Sequence, residues 1–135
     1  MTAPLIYEPW FEKSEYEGRL SRLQAQIRDK CLEGLLAFQP ETVTWLTGFF
    51  TRGYGSFQLA VIPTDGAPVL ICRDVEEYYL DTTCIFKGRA MWSDSDDPVT
   101  IAAKAIVRVL GTKAKVGIEA GAWPLSVARY EALCA

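Results

Sequence analysis

The stretch Phe57-Gln-Leu-Ala-Val-Ile62-Pro-Thr-Asp-Gly66-Ala-Pro68-Val-Leu-Ile-Cys72 decides the fold. Two short runs rich in β-branched and aliphatic residues flank a tight-turn sequence, Pro63-Thr-Asp-Gly66. That pattern predicts strands over 57–62 and 68–72 that pair as an antiparallel hairpin. Helical patterns lie on both sides of the hairpin. The sheet is therefore expected to be mixed, with helices on both faces, and the class α/β.

Upstream, Ser14-Glu-Tyr-Glu17 reads as a capping box that starts a helix. Tyr16, Leu20, Leu23 and Ile27 recur at spacings of four, three and four, which lines one helical face. Arg19, Arg22, Gln26 and Arg28 fall mostly off that face. After Gly34, the run Leu35-Leu-Ala-Phe38 suits a central strand, and Pro40 is placed to open a short helix over 41–46 that Gly48 stops.

Downstream, Asp74 is expected to cap a helix from Val75 to about Asp81, with Val75, Tyr78 and Tyr79 facing inward. Residues 84–87 and 90–92 give weaker strand signals, read as one strand with a bulge at Gly88. Asp97-Pro98 is a strong helix start, followed by Val99, Ala102, Ala103, Ile106 and Leu110 at helical spacing. A last strand is predicted over 115–119, and Pro124 is expected to open a final helix that runs to Ala135. That helix is expected to end without a capping glycine, as a natural terminus can and a domain cut from a longer protein would, and truncation is the favoured expectation.

Composition limits the function classes. A chain of 135 residues, half of them apolar, suits one domain with one core. The net charge is −3 and there is no basic cluster, which argues against nucleic acid. No apolar run is long enough for a membrane span, and the first residues lack the pattern of a secretory signal. Cys31, Cys72, Cys84 and Cys134 are widely spaced and are expected to be buried free thiols in a reducing cytoplasm.

Catalytic equipment is sparse. The chain has no histidine, so its serines and cysteines lack the usual activating base, and no cysteine spacing suits a metal. Gly53-Tyr-Gly55 fails as a phosphate loop, because it precedes a strand instead of following one into a helix. Asp94-Ser-Asp-Asp97 lacks the later ligands of a calcium loop and reads as a solvated loop. Glu76 and Glu77 are explained by a nearby helix start. No residue of the chain is therefore assigned as catalytic or as a metal ligand.

The candidate site is the loop holding Phe50, Arg52, Tyr54 and Ser56 among Gly48, Gly53 and Gly55. Glycine lets this backbone bend sharply, and such loops present side chains to ligands or partners. Arg52 offers a planar fork that matches a carboxylate, and Tyr54 an aromatic wall. The plain alternative is that Arg52 is exposed and Tyr54 packs locally.

Ordered along the chain, Ser14-Glu-Tyr16, Arg19-Leu20, Arg22-Leu23-Gln-Ala25, Gly34-Leu-Leu36, Gln39-Pro-Glu41 and Val43-Thr-Trp45-Leu-Thr-Gly-Phe49 form a recognisable series. Ser56-Phe-Gln58, Asp65-Gly66, Arg73-Asp-Val-Glu76 and Val116-Gly-Ile-Glu119 continue it. The series resembles the N-terminal domain of the creatinase/prolidase/aminopeptidase P family. The resemblance implies a ribonuclease H-like fold over residues 14–135, with 1–13 as an extension. It also implies a C-terminal catalytic domain of the same polypeptide. There, in the peptidases, two aspartates, a histidine and two glutamates hold two divalent metals that activate water against a bond to proline.

In such proteins the N-terminal domain is non-catalytic. It supports a homodimer, and its loop closes over the partner subunit's active site. In creatinase-type members an aromatic residue and an arginine of this loop hold the substrate. The aromatic falls on Tyr54, whereas the arginine position is Ser56, with Arg52 four residues earlier. This departure counts against creatine as the substrate and favours an Xaa-Pro dipeptidase, aminopeptidase or related amidohydrolase as the parent. The alternative is a free-standing α/β ligand-binding or protein-interaction domain without catalysis.

Overall fold

The computed structural model describes residues 9–135. The hairpin forms as the turn sequence predicts. Strand β2 (Leu59–Pro63) runs antiparallel to β3 (Val69–Arg73), with Ala60 opposite Leu70. Strand β1 (Gly34–Ala37) lies on the other side of β2, also antiparallel, with Leu36 opposite Val61. Two parallel strands complete the sheet: β4 (Gly88–Trp92) beside β3 and β5 (Val116–Ile118) beside β1. The order is β4-β3-β2-β1-β5, a mixed five-stranded sheet.

Alternation along the strands divides the core in two. Ala37, Ala60, Ile62, Leu70 and Cys72 pack with the helices α1 (Lys13–Asp29), α2 (Pro40–Thr47) and α3 (Glu77–Thr83). Leu36, Phe38, Leu59, Val61 and Ile71 pack on the opposite side, beneath α4 (Pro98–Leu110) and α5 (Val127–Cys134). Every residue of β2 is buried, as a strand covered on both faces requires.

Tyr16, Leu20, Leu23 and Ile27 do face the core. The capping box does not form. Helix α1 is capped at Glu12 without a side-chain bond, Ser14 lies inside the first turn, and Glu17 sits 3.8 Å from Lys13 instead of reaching back. The helix closes on Cys31, which holds φ 56, while the Leu32 amide donates to the Ile27 carbonyl at 3.1 Å. This left-handed closure usually falls to glycine.

The region after β3 differs most from expectation. Asp74–Glu76 forms a single 3-10 turn before α3, and Asp74 caps nothing. The tighter turn shifts the helical phase. Val75 and Tyr78 are thereby left exposed, while Glu76 and Leu80 point inward. Residues 84–87 are a connection, with the Ile85 amide donating to the Thr47 carbonyl at 2.8 Å, and β4 pairs from Gly88 without a bulge. Helix α5 starts later than Pro124 suggests, because the Ser126 hydroxyl accepts from the Arg129 amide.

All four cysteines are free; Cys72 and Cys84 are buried, but Cys31 and Cys134 are exposed. Both exposed thiols lie at ends of helices, where no sheet covers them. Among the described residues no helix is long and apolar enough to cross a membrane.

Candidate functional site

Helix α2 ends at Gly48, whose φ of 78° turns the chain into the loop over 49–56. A side chain at Gly48 would stand 2.6 Å from the Thr83 carbonyl, so the turn requires glycine. Hydrogen bonds then fasten the loop at both ends. The Thr44 hydroxyl donates to the Phe49 carbonyl at 2.8 Å, and the Phe49 amide donates to the Thr47 hydroxyl at 2.8 Å. The Phe50 amide donates to the Thr83 hydroxyl at 3.1 Å.

Beneath the loop, the buried Thr51 hydroxyl donates to the carboxylate of Glu76, which is only 6% exposed. The same hydroxyl accepts from the Gly53 amide at 2.8 Å. A buried carboxylate left without partners is costly, so this contact ties the loop firmly to the turn before α3. The loop is bent, yet it is held as part of the scaffold.

Above this anchor lies a cavity of about 460 Å³ lined mainly by aromatic rings. Phe50 and Tyr54 both line it, and Trp10 stacks on Phe50 with ring centroids 5.2 Å apart. Tyr54 is 61% exposed, and the rings of Trp10, Trp45 and Phe50 are also left open to solvent. Arg52 points away: it is exposed and does not line the cavity. Ser56 lies outside as well, its amide closing the loop on the Gly53 carbonyl at 2.9 Å. Of the four candidate residues, the cavity therefore brings together two.

Arg19 forms its inner wall. Although it lies on α1, it is 8% exposed, because its guanidinium is enclosed by the rings of Phe11, Trp45 and Tyr16 at 4.7, 4.8 and 5.3 Å. Its Nε donates to Glu15 at 3.0 Å and its Nη1 to the Trp45 carbonyl at 2.8 Å. The latter bond satisfies a carbonyl near the end of α2 and joins it to α1. Gln58, 4% exposed, also lines the cavity.

Sequence reasoning passed over Arg19, Gln58, Thr51 and Glu76. A signal existed for Arg19: three residues after Tyr16, it borders the apolar face. Gln58 interrupts an otherwise apolar strand run. Among the described residues no group of three or more His, Cys, Asp or Glu side chains is arranged to hold a metal, so the two-metal centre of the peptidases finds no ligand set here.

Comparison with known proteins fits this architecture. The ectoine hydrolase of Halomonas elongata is 25% identical over 87 residues, which make up 64% of this chain and 20% of that protein. The prolidase of Thermococcus sibiricus superposes with a TM-score of 0.72 and 26% identity, over 86% of this chain and 30% of its own. The N-terminal domain of the Xaa-Pro dipeptidase from Lactobacillus brevis superposes with a TM-score of 0.71 and 25% identity, over 86% and 85% of the two chains. The chain thus spans a fifth of the ectoine hydrolase and under a third of the whole prolidase, but most of the dipeptidase domain. Residues 19–135 match the family model described as the creatinase/prolidase N-terminal domain, and the chain belongs to that family.

Proposed function

We propose that the chain is the non-catalytic N-terminal domain of a metal-dependent hydrolase of the Xaa-Pro dipeptidase or aminopeptidase type, or of a related amidohydrolase. In this reading it supports formation of a homodimer, and its loop over 50–56 helps enclose the partner subunit's active site. The observation that carries the reading is the pairing of a fastened backbone with uncovered rings. Thr51 and Glu76 hold the loop from below, while Phe50 and Tyr54 stay exposed above it. A rigid apolar surface of this kind gains free energy when a partner covers it. The two divalent metals and the chemistry belong to the C-terminal catalytic segment, and the domain works in the cytoplasm.

The coding sequence beyond Ala135 gives the first test. A downstream segment carrying five metal ligands supports the reading, and a stop codon directly after Ala135 sinks it. In the intact parent, Tyr54→Ser and Arg52→Ala are expected to raise KM for an Xaa-Pro substrate while leaving metal content unchanged. Unchanged kinetics in both variants would remove the loop from the active site. A second reading, a free-standing α/β ligand-binding domain, is favoured by the aromatic cavity of about 460 Å³ beside the loop.

A further inference from the structure

We propose that the aromatic cavity is a binding site for a small organic cation of the methylated-ammonium type. Its volume of about 460 Å³ lies in the range of small-molecule sites. Trp10, Trp45, Phe50 and Tyr54 supply ring surface, and ring faces attract cations electrostatically, most strongly where water is displaced. The inner wall already demonstrates the affinity of this environment for positive charge. Three rings surround the Arg19 guanidinium there at 4.7–5.3 Å.

The charge balance favours a cation in the remaining space. Arg19 is the one cationic side chain among the described residues that line the cavity, and Glu15 pairs with it at 3.0 Å. Glu41 lines the cavity too, and its only side-chain hydrogen bond among the described residues is with the neutral amide of Gln39, at 2.7 Å. Its negative charge is left without a salt bridge among those residues and is available to a ligand.

An uncharged apolar guest would leave the Glu41 charge uncompensated.

The inference does not rest on the enclosure proposed above, since it concerns the chain alone. The test titrates the 135-residue chain with choline, with its neutral carbon isostere 3,3-dimethylbutanol and with benzoate, followed by calorimetry and tryptophan fluorescence. Choline is expected to bind about tenfold more tightly than the isostere, the size of an effective cation–π contribution. Glu41→Gln and Tyr54→Leu, both at exposed positions, are expected to weaken choline several-fold with melting temperatures unchanged. Equal binding of choline and the isostere overturns the proposal in favour of a plain apolar pocket. Tighter binding of benzoate overturns it in favour of an anion site set by Arg19, and absence of saturable choline binding overturns it outright.

Discussion

The Glu119 carboxylate accepts a hydrogen bond from the Phe38 amide at 2.9 Å, joining positions 81 apart in the chain. The same oxygen accepts from the Gln39 amide at 3.2 Å, and the other accepts from the Thr42 hydroxyl at 2.7 Å. Gln39 is the N-cap of α2 and makes no side-chain cap bond, so a carboxylate from the end of β5 does the capping from a distance. Negative charge at a helix N-terminus is favourable, and charge-assisted bonds are the stronger kind. Glu119→Ala is expected to cost about 2 kcal/mol, a fall in Tm of roughly 6–10 °C. Glu119→Gln keeps one acceptor and should lose less. Thermal melting followed by circular dichroism checks both, and an alanine variant as stable as the wild type would show that the link carries no stability.

Gly53 is the tightest point of the aromatic loop. A Cβ there would collide with Glu76 Oε1, whereas a Cβ at Gly55 meets nothing within 4 Å. Gly53→Ala must displace either the loop or Glu76, at a cost of about 1–3 kcal/mol. Gly55→Ala should be neutral. Hydrogen exchange at the Phe50 amide, which is bonded to Thr83, reports the loop directly. It should quicken in the first variant and stay slow in the second; equal protection in both would mean that Glu76 does not hold the loop.

The contrast between these two positions shows what sequence can carry. The hairpin was legible because Pro63, Asp65 and Gly66 mark a turn between two strand-like runs, and α4 because Asp97-Pro98 announces a helix start. The family series was legible as a whole, and with it the fold. Glu76 was misread because a 3-10 turn changes the helical phase, so Val75 exchanged places with it. Arg19 was misread because charge on a helix is normally solvated. Only the folded arrangement, which brings the remote Trp45 against Phe11 and Tyr16, makes a buried guanidinium favourable. The loop was recognised, but its cavity belongs as much to α1 and α2 as to the loop.

The thiols should separate by burial. Burial pushes the Cys72 thiol up to about 12, with the Glu76 charge adding to the effect. Burial likewise pushes Cys84 up to about 11. Since the thiolate is the nucleophile, both should resist alkylation at neutral pH, while the exposed Cys31 and Cys134 react. Mass spectrometry after a short iodoacetamide pulse should find label on Cys31 and Cys134 alone in the native chain, and on all four thiols in denaturant. Early labelling of Cys72 would contradict the packing of β3 against α3.

Helix α4 gives a pH-dependent prediction. Its cap, Asp97, accepts from the Thr100 amide at 3.2 Å and from the Thr100 hydroxyl at 2.6 Å, and the bonds from Thr100 hold its carboxyl below the ordinary value of 3.8. A carboxyl lowered in the folded state stabilises fully above its unfolded value and loses that contribution as pH falls through the folded one. Asp97→Ala should therefore melt a few degrees below the wild type at neutral pH, with the gap closing as pH drops below about 3.8. Asp97→Asn keeps a neutral acceptor and should retain most of the cap with little pH dependence. Asp94, held low by its bond to Arg73, titrates in the same direction in all three proteins and cancels from the comparison. A gap between wild type and Asp97→Ala that stays constant down to pH 3 would show that the cap acts through shape and not through charge.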